Sequence, residues 1–410
     1  MRGFLRSRAS VGQTIIGGYF GHVKHPQLDS ETLLNARQRA VLERVRSAEY
    51  AGILALPTDD PLDSKRRRRV EATYPEMLAQ PDAIRSTWEA NAGPLAEVAR
   101  RVVDLGIERA YLVGAGDSLA VMMAARLALE HMLGVPCEPM QSLEFAYYSQ
   151  HITPRTLVLA LSSSGETTRT IEAILVAQHH GALTIAFTNT QGSTLDDECQ
   201  ETLLVRATRV GWPTQSSSAA LALILRLAIG VGAERSARGS LDLLSELDRL
   251  PDLMAHALDV SETFAEEVAA REVDRHMYLF SAGGPNWSSA IVGAAKVKEC
   301  TPDHALAIQV EEYHHYNSQK PGEPLWLFAP SGPTVPRARE TADEARRFGG
   351  QVYVVTSRGE DAFENAANEV LHLPAISESL SPLLYFVSAQ FVGYHLAMAK
   401  FSAAEVGASG

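Results

Sequence analysis

The sequence is poor in cysteine: Cys137, Cys199 and Cys300 are the three in 410 residues. Odd in number and without paired metal-ligand spacing, they exclude a disulfide scaffold or zinc module and predict a reduced, cytoplasmic setting. Positive charge is in deficit, with 37 Lys and Arg against 49 Asp and Glu and a net charge of -12. An acidic surface repels phosphate backbones, so nucleic acid is not an expected partner. A small anion remains bindable, because backbone dipoles act at short range. Met1 to Arg6 carry no apolar stretch of the kind that marks a Sec-type signal peptide. The most apolar segment, Pro382 to Phe401, is interrupted by Ser388, Gln390, His395 and Lys400; it predicts a core or interface helix rather than a membrane span.

Hydrophobic residues are 46% and charged residues 21%, the balance of a globular protein whose length suits two domains. Residues 1–80 read as a mainly helical N-terminal extension. Within it, the run Lys65-Arg66-Arg67-Arg68-Arg69 reads as a solvated helix end or linker, with a positive lip near an anion site as the alternative. Glu31 to Ala48, rich in Leu, Arg and Ala, predicts a helix packed as an arm on the body.

From Gln80 the pattern alternates. A helix over Ala83 to Leu105 precedes the strand Ala110 to Val113; further strands are expected at Thr156 to Leu161, Leu183 to Thr188 and Thr202 to Val205. Helices are expected between them, at Thr167 to His180 and Ser217 to Val231. Short β-branched runs between longer helical segments predict a doubly wound α/β fold, a parallel sheet with helices on both faces. The pattern then repeats. Tyr278-Leu279-Phe280-Ser281-Ala282-Gly283-Gly284 echoes Tyr111-Leu112-Val113-Gly114-Ala115-Gly116-Asp117, and the same offset of 167 carries Ser164-Gly165-Glu166-Thr167 onto Ser331-Gly332-Pro333-Thr334. Two loops matching at one offset indicate an internal duplication. The expected division is 81–235 and 250–402, with a linker near Ala233 to Leu250 and a short tail over 403–410.

Ligands of parallel α/β sheets bind beyond the carboxyl ends of the strands. There the apolar strand Thr156 to Leu161 opens into Ser162-Ser163-Ser164-Gly165-Glu166-Thr167 and a helix. Hydroxyls and free amides at a helix start supply the dense donors that a phosphate needs, and Gly165 lets the backbone approach closely. A lone cap would need one hydroxyl, not four. Gly114-Ala115-Gly116-Asp117-Ser118 resembles part of a dinucleotide fingerprint but lacks its third glycine in register.

The Gly116-Asp117-Ser118 loop, Glu144-Phe145, Ser162 to Thr167 and Thr208 to Ser216 fall in an order that resembles a two-repeat member of the sugar isomerase (SIS) family. It is most similar to the isomerase half of glucosamine-6-phosphate synthase. The resemblance runs from about Tyr74 to Lys400 and implies two tandem flavodoxin-like SIS domains in a cytoplasmic homodimer with sites near the subunit interface. It implies phosphate binding by Ser162, Ser163, Ser164 and Thr167, helped by Gly116 and Ser118. Asp117 departs from the family's usual hydroxyl residue and is expected to meet a sugar hydroxyl or amine.

The second half matches the family's Lys-x-Lys-Glu stretch at Lys296-Val297-Lys298-Glu299. The resemblance makes Glu299 the residue that shifts the proton between sugar carbons. It makes His315, sixteen residues on, the ring-opening group, often acting in a neighbouring subunit's site; Glu312 matches a family glutamate. The chemistry suits these types, since a desolvated carboxylate can take and return a proton, and histidine exchanges one near neutrality. Lys296 is expected to stabilise an enediolate oxygen or anchor the sugar, with a surface Lys296–Glu299 salt bridge as the competing reading. Glu311 and His315, four apart, invite a metal reading that lacks further ligands; no metal or other cofactor is expected.

The sequence departs from the synthase in three ways. No terminal cysteine nucleophile of a glutaminase is present, no lysine follows Lys400, and Gly211-Trp212-Pro213-Thr214-Gln215-Ser216 replaces a small-residue strip, so Trp212 is expected to reshape the pocket. The resemblance therefore implies an enzyme that isomerises or deaminates a 6-phosphorylated amino sugar through an enediol or enediolamine, independently of glutamine. A deglycase of a phosphorylated sugar–amine adduct and a non-catalytic sugar-phosphate sensor are the alternatives. The expected partner is a phosphorylated sugar, without nucleic acid or membrane.

Overall fold

A computed structural model describes residue 28 and residues 33–55, 64–316 and 319–409 of the chain. Among the described residues, three helices precede the first sheet: α1 (Ala36–Leu54), α2 (Ser64–Leu78) and α3 (Gln80–Leu105). Asn35 opens α1 through a capping box with Gln38, so the arm helix starts later than expected and runs further. The predicted start of the arm at Glu31 lies outside the described residues. Leu42 and Val45 of α1 bury against Ile171 and Leu175, which seats the arm on the first sheet's helical layer. The basic run forms the largely exposed first turns of α2, the solvated helix end of the two expectations rather than a linker.

The first repeat comprises β1 (Arg109–Gly114), α4 (Asp117–Leu133), β2 (Cys137–Gln141), α5 (Ser142–Tyr148), β3 (Thr156–Leu161), α6 (Thr168–His179), β4 (Leu183–Thr188), α7 (Thr194–Glu198), β5 (Glu201–Leu204) and α8 (Gln215–Glu234). The expected linker holds α9 (Ser240–Asp248) and leads into α10 (Leu250–Glu272). The second repeat comprises β6 (Met277–Ala282), a 3-10 turn at Gly284–Asn286, α11 (Trp287–Cys300), β7 (His304–Gln309), α12 (Val310–Tyr316), β8 (Pro324–Ala329), α13 (Val335–Arg347), β9 (Gln351–Ser357), β10 (Glu369–Leu373) and α14 (Pro382–Ser409). The predicted tail is thus helical through Ser409.

Both sheets are parallel and five-stranded, in the orders β2-β1-β3-β4-β5 and β7-β6-β8-β9-β10. The order is the same in each, as a duplication requires. Arg109 and Met277, Thr156 and Pro324, Leu183 and Gln351, and Glu201 and Glu369 open equivalent strands, each pair 168 residues apart. The structural register is therefore one residue longer than the offset read from the loops. It places Gly116 on Gly284, and these two share a left-handed backbone, with φ of 58° and 57°. Helices cover both faces, so β3, β4 and β8 are buried at every position and read as continuous apolar runs.

One hydrophobic cluster joins the repeats, from Leu112 and Leu225 to Phe280, Leu384 and Phe391. The Pro382–Phe401 segment is a core helix, as expected. Among the described residues, Gln215–Glu234 is long and apolar enough to cross a membrane, and its apolar window is 83% buried within the fold.

Candidate active site

The register Val113 to Ala160 sets the ends of β1 and β3 side by side, so the loops after them share one edge of the first sheet. The loop after β3 is closed by its own hydroxyls. The Ser162 and Thr167 hydroxyls are 2.8 Å apart, and the Gly165 N–H donates to Ser162 O at 3.0 Å and Ser162 Oγ at 3.2 Å. Ser162 is buried, whereas Ser163, Ser164 and Thr167 are half-buried. Ser163 donates to Asn189 Oδ1 at 2.8 Å, and the Glu166 N–H donates to Ser164 Oγ at 3.2 Å. Gly165 has φ 67°, and a Cβ there would run into the Ser193 hydroxyl, so glycine is required twice over. Behind the loop, the Glu166 carboxylate accepts from Thr194 N at 2.8 Å and Thr194 Oγ1 at 2.7 Å, with Arg44 of α1 at 3.6 Å. The arm thus braces the loop. Thr167 is the N-cap residue of α6, which leaves the amides of that helix start above the serines.

The loop after β1 turns at Gly116 into α4, whose first residue is Asp117. Asp117 has a protein partner that its expected contact with a sugar group did not foresee. Lys296, from α11 of the second repeat, donates from Nζ to Asp117 Oδ2 at 2.6 Å and to Glu299 Oε2 at 2.5 Å. Lys296 is 1% exposed, which replaces the surface salt bridge with a buried one. Its ammonium is committed to two carboxylates rather than to open space. The close packing has a cause: at Gly393 of α14 a Cβ would lie 2.5 Å from Lys296 Cβ, so a bare backbone lets the helices touch there.

Burial disfavours the ionised form of Glu299 and pushes its pKa up; the Lys296 ammonium opposes that, the Asp117 charge reinforces it, and the net direction is upward. Burial alone would lower the Lys296 pKa, but Asp117 and Glu299 outweigh it and hold the ammonium above its usual value. The arrangement can therefore supply a proton acceptor of raised basicity beside a permanently charged ammonium. Burial pushes the adjacent Cys300 thiol up to about 12, which makes it a poor nucleophile.

The strip Thr208 to Pro213 is clamped to α2. The buried Glu76 carboxylate accepts from Thr208 Oγ1 at 3.0 Å, Val210 N at 2.7 Å and Gly211 N at 3.1 Å, while Thr73 Oγ1 accepts from Trp212 N at 2.8 Å. Trp212 packs in a cluster with Val70 and Cys300, next to Glu299 in the chain. Arg69 lies over the Trp212 ring at 3.6 Å, and its charge reaches Glu299 and lowers that carboxyl's pKa slightly against the larger upward effects. The basic run thus places one residue as a positive lip at this end of the fold.

His315 and Glu312 are not brought to this cluster. His315 is exposed on α12, its Nε2 3.1 Å from Glu311 Oε1, and Glu311 is held by a forked pair from Arg337 at 2.7 and 3.0 Å. Glu312 is half-buried on the same short helix. Among the described residues, no hydrogen bond joins either to Glu299, Lys296 or the serine loop. The sequence reading missed Asn189, which follows β4 and could have been found by the rule that strand ends carry the site. It also missed the Arg44–Glu166 brace and the weight of Arg69, for which the sequence held no signal beyond the basic run.

A hydroxyl-rich loop at the end of β3 and a buried lysine between two carboxylates, one from each repeat, sit on a phosphosugar-isomerase type of SIS fold. A family model described as SIS domain matches residues 106–229. A glutamine–fructose-6-phosphate aminotransferase [isomerizing] of Pseudomonas aeruginosa is 30% identical over 339 residues, covering 79% of this chain and 55% of the relative. The Yersinia pestis enzyme of the same name is 28% identical over 338 residues, again 79% and 55%. The chain therefore spans about half the length of the curated relatives it matches. Among solved structures, the C-terminal domain of glucosamine-fructose-6-phosphate aminotransferase from Francisella tularensis aligns with TM-score 0.70 and 21% identity over 79% of this chain and 95% of that one. Glucosamine-6-phosphate deaminase from Thermotoga maritima aligns with TM-score 0.63 and 20% identity over 80% and 94%. The chain is a SIS-family protein, homologous to the isomerase domain of the glutamine–fructose-6-phosphate aminotransferases, and its two sheets match tandem SIS domains.

Proposed function

We propose that this protein is an enzyme that isomerises or deaminates a 6-phosphorylated amino sugar through an enediol or enediolamine, without glutamine. The observation that carries the reading is the buried contact of Lys296 with both Asp117 and Glu299, at the sheet edge that also bears the serine loop. In this reading Ser162, Ser163, Ser164 and Thr167 hold the phosphate with the first amides of α6, and Gly116 and Ser118 line the adjacent turn. Phosphate so fixed sets the reacting carbons near Glu299, which takes a proton from one carbon and returns it to the next. Lys296 acts as a positioning residue: it orients Glu299 and opposes the upward push of burial, so that the carboxyl stays ionisable. Trp212 and Arg69 form the wall facing the substituent of the second carbon. His315 opens the sugar ring in the site of a second copy of the chain within a homodimer, with Glu312 beside it.

The exposure of His315, and the lack of any bond between it and Glu299 among the described residues, favour a site completed by a partner. A sensor that binds without turnover would have no use for a carboxylate of raised pKa held by a buried ammonium. The discriminating experiment is a thermal-shift screen of 6-phosphorylated aldoses, ketoses, amino sugars and sugar–amine adducts, with hits assayed for ammonia, amine and ketose without added glutamine. Ammonia or ketose from an amino sugar phosphate supports the reading. Amine release from an adduct would replace it with a deglycase, and binding without any product would make the protein a sensor.

A further inference from the structure

The duplication creates a second place equivalent to the candidate active site. The first lies where the loops after β1 and β3 meet α11 of the other repeat. By the 168-residue register, its mate lies where the loops after β6 and β8 meet α4. A cavity of about 600 Å³ is found there, lined by Gly284 and Pro285 after β6, Pro333 and Thr334 after β8, and Arg126 and Glu130 of α4. Gln309, which ends β7 as Gln141 ends β2, also borders it, as do Trp287 and Glu378. The volume suits a small ligand.

The chemistry of this cavity differs from that of its mate. The segment equivalent to Ser162–Thr167 runs from Pro330 to Val335 and contains Pro330 and Pro333, which have no N–H to offer an anion. The Glu378 carboxylate stands over the two loops: a methyl added at Gly284 would meet its Oε1 at 3.0 Å, and one added at Gly332 would meet its Cδ at 3.1 Å. A carboxylate at the spot where the first repeat has its serines repels phosphate. Arg126 is matched by Glu130, 3.3 Å away, so Glu378 leaves the cavity one negative charge in excess. Among the described residues, no hydrogen bond or ion pair engages the Glu378 side chain. A half-buried carboxylate without a partner gains from a ligand cation. Trp287 supplies an aromatic surface beside it, on which a cation or the apolar face of a sugar ring can rest.

We propose that this cavity is a second ligand site, specific for a polyhydroxylated ammonium compound of amino-sugar size that lacks a phosphate, with its ammonium on Glu378 and its ring on Trp287. The site is separate from the phosphosugar reading of the first repeat. It reaches that site through α4 and α11, which carry residues of both: Asp117 and Arg126 on α4, Trp287 and Lys296 on α11. An occupant therefore bears on the Asp117–Lys296 contact.

The probe is glucosamine, with glucose as its uncharged counterpart, titrated at mildly acidic pH into protein carrying 15N-labelled tryptophan. The indole signal of Trp287, assigned by its loss in Trp287→Phe, is expected to move saturably with glucosamine and not with glucose. Glu378→Gln, which keeps the shape and removes the charge, is expected to weaken that titration about tenfold or more. Ser162→Ala with Ser164→Ala is expected to leave it unchanged. A saturable shift of the Trp212 signal in place of Trp287 would put the amine in the first site and overturn the proposal. So would the absence of saturation, or a titration that Glu378→Gln leaves intact in a variant of unchanged melting temperature.

Discussion

Lys296 Nζ lies 2.6 Å from Asp117 Oδ2, a contact between residues 179 positions apart that ties the first helix of one repeat to the corresponding helix of the other. Neither residue is notable in its own repeat. Lys296 also holds Glu299 one turn along α11, so one ammonium joins a carboxylate of each repeat and the base of the proposed reaction sits at the seam between them. The second repeat, which has no serine run of its own, inserts this lysine against the first.

Lys296→Met is expected to separate positioning from packing. Removing the ammonium leaves the Asp117 and Glu299 carboxylates facing one another unpaired, a loss of about 3–5 kcal/mol by analogy with other broken buried pairs. The sign with pH follows from Glu299. Its carboxyl is held above its usual value, so the folded state binds that proton more tightly than the unfolded chain does. Stability from this group is present at low pH and lost as pH rises through the folded value. The variant's deficit is therefore largest at neutral pH and smaller in acid. In kcat/KM the acid limb, which marks ionisation of the base, is expected above the ordinary glutamate value of about 4.3 in the parent protein and higher still in Lys296→Met. A limb that does not move would show that Lys296 has no electrostatic hold on the base.

The serine loop is tested by two changes of different kind. Ser162→Ala with Ser164→Ala is expected to weaken phosphorylated sugars while leaving unphosphorylated ones unaffected, by about 1–3 kcal/mol in binding calorimetry. Gly165→Ala is expected to lose phosphate binding and stability together, since its backbone sits at φ 67° and its Cβ would collide with Ser193. Equal weakening of both sugar forms by the serine pair would move the phosphate elsewhere.

Arg69→Ala removes a guanidinium lying 3.6 Å over Trp212. A contact of this kind at an exposed site contributes about 0.5–1 kcal/mol, so the melting temperature is expected to change little. The expected effect is on selectivity: KM rises for substrates with an anionic group on the second carbon and changes less for those with a free amine. Steady-state kinetics over a matched pair of substrates reads this directly.

His315→Ala and Glu299→Gln are each expected to be inactive alone and to recover partial activity when mixed and allowed to exchange subunits. One mixed dimer in such a population carries one site with both groups intact. Failure of the mixture to regain activity, with subunit exchange demonstrated, would place Glu299 and His315 in a site within one chain and overturn the shared site.

Much of the fold was legible because it follows from local patterning. Thr156 to Leu161 and Leu183 to Thr188 are apolar apart from Thr156, Thr184 and Thr188, which marks strands covered on both faces, and the β1 and β6 loops announce the repeat. The serine loop was legible for the same reason, as its donors are contiguous in sequence. What was not legible depends on contacts between distant segments. Asp117 pairs with Lys296, Glu76 clamps the strip bearing Trp212, and Arg69 rests on that indole; no spacing within either partner encodes these contacts. The basic run gave no sign of which of its residues would meet the Trp212 strip, because the helix that carries it is oriented by tertiary packing alone. The one-residue difference in repeat register, 168 rather than 167, arose because similar loop residues were aligned instead of strand ends.

The proton transfer assigned to Glu299 is tested most directly by exchange of the proton on the second carbon of a bound phosphosugar, followed by proton NMR in deuterated water. The parent protein is expected to replace that proton with deuterium. Glu299→Gln is expected to abolish the replacement while binding the same sugar with similar affinity and melting no lower. Exchange that continues in Glu299→Gln at the parent rate would contradict the assignment of Glu299 as the proton carrier, and with it the claim that the second repeat completes the chemistry of the first.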